Sequence, residues 1–415
     1  MTDDRVLRID RFPTGVITPP PSKSLSHRAL ICAALAGGVH AIDRIENMGD
    51  SDDISATRSG ILNVLAGLCN RPVDCGESGS TLRFLIPIAA VFSDAWVFKG
   101  KGRLFERPLS VYSEVFAAHG VAFANTGDEV HVRGPLRAGI FEVRGDISSQ
   151  FISGLLLALP LLDGDSEIRL LTPLESAGYV DLTLDVMHTY GVSVERRFSV
   201  KDHALTGFAV PGGQKYRETP FRIEPDYSQA AFFLGAGALG CEVAVAGLNP
   251  NSLQGDRRIL DVLREMGAVI GGGDKSPHGF AQIRIQAPDE GLHGITIDVS
   301  DIPDLVPPIA ALAAVSRGVT RIENAYRLRM KESDRLHALK EALGALGAEI
   351  IEEKDALVIV GKKTLSGGRT DAWKDHRIAM AVALAAIKCA RTVEITGSGA
   401  VRKSYPAFWK DWSQR

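Results

Sequence analysis

Pro20-Pro21-Ser22-Lys23-Ser24-Leu25-Ser26-His27-Arg28 runs straight into the apolar stretch Ala29-Leu30-Ile31-Cys32-Ala33-Ala34-Leu35-Ala36, and this junction decides how the rest of the chain is read. The two prolines hold the approach extended, and Ser22 or Ser24 can cap the helix that follows. Free backbone N–H groups, hydroxyls, an ammonium and a guanidinium then converge on one point, the make-up of an anion site. An ordinary capped helix with solvated charges competes for this stretch when it is taken alone. Five more clusters of the same design count against that reading.

They are Gly76-Glu77-Ser78-Gly79-Ser80-Thr81, Gly145-Asp146-Ile147-Ser148-Ser149-Gln150, Glu224-Pro225-Asp226-Tyr227-Ser228-Gln229, Ser300-Asp301-Ile302-Pro303-Asp304 and Lys374-Asp375-His376-Arg377. They recur at roughly 75-residue intervals, longer than a common solenoid repeat and nearer a subdomain. Each leads into a helix of small apolar residues, such as Ile378-Ala379-Met380-Ala381-Val382-Ala383-Leu384-Ala385, apolar nearly all round and therefore buried. The second half of each unit is an amphipathic helix stopped by glycine, as at Gly120, Gly191, Gly267 and Gly347. The clearest is expected over Lys331 to Leu346, with Leu336, Leu339, Leu343 and Leu346 at helical spacing. Six such units imply two domains of three.

The chain has 415 residues, 45% hydrophobic and 23% charged, which is enough for two or three domains with proper cores. A net charge of −3 supplies no global field toward nucleic acid or an anionic membrane, so any cationic site must be local. The five cysteines, Cys32, Cys69, Cys75, Cys241 and Cys389, lack paired zinc spacing and fit a reducing cytoplasm. Met1-Thr2-Asp3-Asp4-Arg5 carries no apolar signal segment, and apolar stretches are broken by Gly or charge, so neither secretion nor membrane insertion is expected.

In order along the chain, Pro21-Ser22-Lys23-Ser24 with Arg28, Gly76-Glu77-Ser78-Gly79-Ser80-Thr81-Leu82-Arg83, Glu106-Arg107-Pro108, Ser148-Ser149-Gln150, Lys331-Glu332-Ser333-Asp334-Arg335, Asp375-His376-Arg377 and Arg402-Lys403-Ser404-Tyr405-Pro406 resemble the 5-enolpyruvylshikimate-3-phosphate (EPSP) synthases, a family of enolpyruvyl transferases. The resemblance implies an α/β protein of two domains, an inverse α/β barrel in which each domain holds three βαβαββ units with helices buried and sheets outside. It puts residues 1–20 plus 225–415 in a discontinuous domain on the phosphoenolpyruvate side and 21–224 in a continuous domain on the shikimate 3-phosphate side. The active site would occupy the interdomain cleft of a cytoplasmic monomer whose halves come together on the first substrate.

The reaction so implied joins the 5-hydroxyl of shikimate 3-phosphate to C2 of phosphoenolpyruvate and releases phosphate, with no cofactor, metal, nucleic-acid or membrane partner. Two polyanions must be held together, and fixed cations do this better than water. By resemblance Lys23, Gly79, Arg107, Gln150, Arg335, Arg377 and Lys403 bind phosphoenolpyruvate. Ser24, Arg28, Ser148, Ser149, Gln150, Ser176, Tyr179, Asp304 and Lys331 bind shikimate 3-phosphate. Asp304 manages the hydroxyl proton, Glu332 protonates C3, and Lys23 or Lys403 stabilises the departing oxygen. Without the resemblance, Asp304 reads as a helix cap and Glu332 as an exposed partner of Arg335. Lys331 and Arg335 favour the ionised Glu332, so it is expected to become an acid only in the closed ternary complex.

Arg83, Arg103, Arg329 and Arg402 read as structural or peripheral, and His27, His337 and His376 form no metal set. Glu77, Phe84 and Arg327 depart from the family pattern, which bears on glyphosate sensitivity and on the shikimate contacts. The related UDP-N-acetylglucosamine enolpyruvyl transferase differs in its opening Lys-Asn and in a loop cysteine, where this chain has Lys23-Ser24 and a cysteine-free 100–107. A noncatalytic phosphate or nucleic-acid binder is disfavoured by the neutral charge and the lack of an aromatic-interleaved basic stripe.

Overall fold

The computed structural model describes residues 6–93, 95–275 and 281–413, so the N-terminal Met1–Arg5 lies outside the described residues. The chain divides into two compact units, one of residues 1–20 with 224–415 and one of 21–223. Glu224, expected at the end of the continuous domain, belongs to the discontinuous unit. Its carboxylate accepts from Asn249 Nδ2 and Gln254 Nε2, both at 2.8 Å, and from the Ser252 hydroxyl.

The helices are α1 (Lys23–Ile42), α2 (Asp52–Leu65), α3 (Gly79–Phe92), α4 (Ser110–Ala118), α5 (Ser149–Ala158), α6 (Ala177–Thr189), α7 (Tyr227–Ala238), α8 (Ile259–Glu265), α9 (Val306–Ala313), α10 (Arg335–Gly344), α11 (His376–Ala386) and α12 (Phe408–Ser413). The repeat is plainest in α3 to α4. Strand Val73–Asp74 leads through α3 to Ala95–Lys99, which pairs with it in parallel, and then through α4 to the hairpin of Ala122–Asn125 and Glu129–Arg133. Three more four-stranded sheets repeat this order of one parallel and two antiparallel pairings. Sheets of two and three strands complete the set among the described residues, giving three sheets to each unit.

Because the sheets cover one face only, the helices behind them must be apolar on nearly every side. In α7 and α11 every residue is buried, and each unit has a hydrophobic core of its own. Close approach of helices needs Gly235 of α7, where a Cβ would stand 3.0 Å from Leu384 of α11 and 3.4 Å from Leu312 of α9. Helix α1 reaches membrane-spanning length, but its backbone is non-helical at Gly37 and Gly38 and most of it is interior to its unit.

Side-chain caps set where the site helices start. Ser22, Ser78, Ser148, Asp226 and Asp375 each accept from a backbone N–H of the turn that follows, in α1, α3, α5, α7 and α11. The helix expected from Lys331 starts instead at Arg335. Asp334 caps it by accepting from His337 N, and 3-10 geometry over Tyr326–Met330 carries the chain there. Asp304 is not the N-cap residue of α9, which is Leu305; it lies in the 3-10 turn Pro303–Leu305 ahead of that helix.

Leu384→Ala should open a cavity between α7, α9 and α11 and cost about 2–5 kcal/mol in urea unfolding. A loss under about 1 kcal/mol would mean that these helices do not pack as described.

Candidate active site

In the discontinuous unit the 3-10 turn before α9, the turn before α10 with that helix's first residue, and the start of α11 bring five charged side chains onto one another. Arg335, only 2% exposed, donates from Nη1 to Asp304 Oδ1 at 3.0 Å, from Nη2 to Glu332 Oε2 at 2.8 Å and from Nε to Asp375 Oδ2 at 2.8 Å. Arg377 donates from Nη2 to Asp304 Oδ2 at 3.0 Å and to Ser228 Oγ at 2.9 Å. Asp304 thus bridges two guanidiniums, one per oxygen. Lys403 Nζ stands 3.7 Å from Glu332 Oε1. Glu332 does pair with Arg335 three residues on, but at 12% side-chain exposure it is no surface partner.

Burial alone would raise the Asp304 carboxyl, yet Arg377, Lys331 and Arg335 outweigh it and hold the group far below the usual carboxylate range. Burial pulls Lys331 down to about 8, with Asp304 opposing and Arg335 assisting. The cluster therefore offers a carboxylate that stays ionised and a lysine that loses its charge just above neutrality. Asp375, fully buried, accepts from Ser333 Oγ at 3.0 Å and from Arg377 N at 2.9 Å as well as from Arg335.

In the continuous unit Lys23, first residue of α1, pairs with Asp53 Oδ2 at 2.9 Å, and the Asp53 carbonyl accepts from Thr81 Oγ1 at 3.3 Å. Gly79 opens α3, and a Cβ there would lie 3.0 Å from Arg107 Nη1, 3.1 Å from Arg83 Nη1 and 3.7 Å from Gln150 Oε1. Gln150 accepts from Arg83 Nη1 at 2.7 Å and donates to Ser80 Oγ at 2.9 Å. Arg83, read as peripheral, stands among the expected site residues. Its place four residues after Gly79, on the same face of α3, was the available signal. Asp53 gave none, being thirty residues from Lys23 in sequence.

Arg28 is 2% exposed and works as a clamp between α1, α5 and α6. Its Nε donates to Thr183 Oγ1 at 2.7 Å, Nη1 to Ser24 O at 2.8 Å, and Nη2 to Tyr179 O at 2.8 Å and Ser153 Oγ at 3.4 Å. Four of five N–H donors are thereby engaged within the protein. Ser148 caps α5 and Ser149 begins it, while Ser176 precedes α6 in left-handed backbone at φ 55°.

The departures have physical partners. The Phe84 ring lies under the Arg28 guanidinium, 5.1 Å from its centroid. A Cβ added at Gly102 would stand 3.0 Å from the Glu77 side chain, and the φ of 63° there already favours glycine. Arg327 donates to the Ser300 carbonyl. His27 is buried against Thr57 Oγ1 at 2.7 Å, and burial takes it down to about 3, so it is neutral. His337 pairs with Glu352 near the surface, and His376 is buried beside Asp375. Among the described residues no three His, Cys, Asp or Glu side chains gather as a metal set.

The fold is that of the enolpyruvyl transferases. An EPSP synthase from Acinetobacter baumannii superposes with a TM-score of 0.75 at 24% identity, covering 98% of this chain and 97% of its own. The enolpyruvyl transferase NikO from Streptomyces tendae superposes at 0.73 and 15% identity, covering 99% and 96%. A sequence profile described as EPSP synthase (3-phosphoshikimate 1-carboxyvinyltransferase) matches residues 11–68 and 57–412. The 3-phosphoshikimate 1-carboxyvinyltransferase of Clostridium kluyveri is 44% identical over 417 aligned residues, spanning 96% of this chain and 94% of that protein. That of Clostridium novyi is 45% identical over 428, with the same shares. The chain belongs to the EPSP synthase family.

Lys331 gives this cluster a pH signature. Affinity for sulfate, whose charge is constant over the range, should be flat below pH 8 and fall as pH rises through about 8, where Lys331 loses its proton. Lys331→Arg should move that fall to higher pH. Calorimetric titration showing the same profile for both proteins would remove Lys331 from the anion site.

Proposed function

We propose that the chain transfers the enolpyruvyl group of phosphoenolpyruvate to the 5-hydroxyl of shikimate 3-phosphate, as a cytoplasmic monomer. The observation that carries this reading is the bonded cluster of Asp304, Glu332, Arg335, Arg377 and Lys403 in a chain of this family. Arg335, Arg377 and Lys403, with Lys23, Arg107 and Gln150, take the phosphoenolpyruvate carboxylate and phosphate. Ser24, Arg28, Ser148, Ser149, Gln150, Ser176, Tyr179 and Lys331 hold shikimate 3-phosphate, with Arg28 acting chiefly by fixing Ser24 and Tyr179 through their carbonyls.

Addition forms a C–O bond between the 5-oxygen and C2 while C3 gains a proton and becomes a methyl group. Asp304, ionised in the resting protein, accepts the hydroxyl proton once bound anions draw its two arginines toward themselves. Glu332 delivers the C3 proton. It is bonded to Arg335 and Lys403 without ligands, so it acts as an acid once bound anions take over those cations. Elimination then breaks the C2–O bond to phosphate as C3 returns its proton to Glu332 and Asp304 gives its proton to the departing phosphate, with Lys23 or Lys403 beside the departing oxygen. No covalent bond to the enzyme is needed.

Mixing the protein with both substrates should release inorganic phosphate, and either substrate alone should not. Asp304→Asn should lower kcat by about 10²- to 10⁴-fold while the fold survives. Absence of phosphate from the unaltered protein would defeat the proposal.

Gly79→Ala should push the Arg107 and Arg83 guanidiniums aside and weaken both phosphoenolpyruvate and glyphosate, with little change in melting temperature. Unchanged affinity for both would displace Gly79 from the site.

A further inference from the structure

We propose that Ser228 is a positioning residue for Arg377, holding one N–H of its guanidinium through a neutral acceptor whose direction is set by Asp226. The inference rests on the reaction proposed above.

Three bonds define the arrangement. Arg377 Nη2 lies 2.9 Å from Ser228 Oγ, and Ser228 Oγ lies 2.6 Å from Asp226 Oδ1. The same Oδ1 accepts from the backbone N–H of Ser228 at 2.8 Å and of Gln229 at 3.2 Å, which caps α7. A guanidinium only donates, so Ser228 Oγ must accept from Arg377 and spend its single proton on Asp226. The hydroxyl is thus locked with a lone pair facing Arg377. Ser228, Asp226 and Arg377 are all at least 95% buried, so water does not compete freely for these bonds.

The neutrality of this acceptor gives it a role the carboxylates cannot fill. Nη2 also meets Asp304 Oδ2 at 3.0 Å, an ion pair that an incoming anionic substrate must share or replace. Ser228 holds the guanidinium in place through that exchange without cancelling its charge. A carboxylate at residue 228, added to Asp304, would neutralise the cation that the substrate needs.

Removing the hydroxyl should leave the helix cap intact, because Asp226 Oδ1 keeps its two backbone donors. Ser228→Ala should therefore melt near the unaltered protein yet raise KM for phosphoenolpyruvate about tenfold, as loss of a hydrogen bond to a charged group implies. KM for shikimate 3-phosphate should stay within about twofold and kcat should fall less than KM rises. Ser228→Thr, which restores a hydroxyl, should recover KM, and Ser228→Cys, a poor acceptor of similar size, should behave like alanine even if alanine folds badly. The inference is overturned if alanine and cysteine keep the original KM for phosphoenolpyruvate, or if threonine shares their defect. Failure of the unaltered protein to release phosphate would instead strike the proposed reaction.

Discussion

The arrangement depends on one buried guanidinium. Arg335 is almost wholly removed from water, which is tolerable for a charge only if partners replace its hydration. Asp304, Glu332 and Asp375 do so from three separate segments, one ahead of α9, one ahead of α10 and one at the cap of α11. Removing any of them leaves charge uncompensated, so the cluster locks two repeats of one unit together, with Arg377 reaching Ser228 of a third, as well as gathering reactive groups. Two of its carboxylates are the proposed proton carriers, and the cation that holds them is a proposed substrate ligand. Compensation in the resting protein and catalysis with substrate thus draw on the same pairs.

The other unit solves a similar problem with fewer charges. Arg28 is satisfied by carbonyls and hydroxyls, and an aromatic face lies against it, so burial brings its pKa down to about 10 while leaving it a cation near neutrality. Arg83 lies over the Phe151 ring at 5.0 Å and is fixed by Gln150 and the Pro108 carbonyl. Lys23 has a carboxylate partner in Asp53. In both units the repeat supplies the same device, a capped helix start carrying a cation near its first turn.

Much of this was legible in the chain because the fold repeats. A polar cluster before a helix too apolar to be exposed, met six times, implies buried helices, the family resemblance adds sheets outside them, and the strand pairings repeat accordingly. The start of α10 was misplaced because heptad-like leucines report the period of a helix and say nothing of its first residue, which Asp334 settles by capping. Lys23, Arg107, Arg335 and Arg377 are candidates by their motifs, and of these Arg335 and Arg377 meet on one carboxylate. Arg83 was passed over because an arginine within an apolar helix reads as an outlier until its neighbours are known. Asp53, Asp375 and Ser228 act on cations distant in sequence, and no local spacing encodes such pairings.

A crystal structure with shikimate 3-phosphate and glyphosate bound tests the exchange of partners most directly. The account predicts ligand oxygens within hydrogen-bonding distance of the Arg335 and Arg377 guanidiniums, with Glu332 released from at least one of its present cations. Ligand anions bound elsewhere, while Arg335 and Arg377 keep every carboxylate contact they have now, would contradict it.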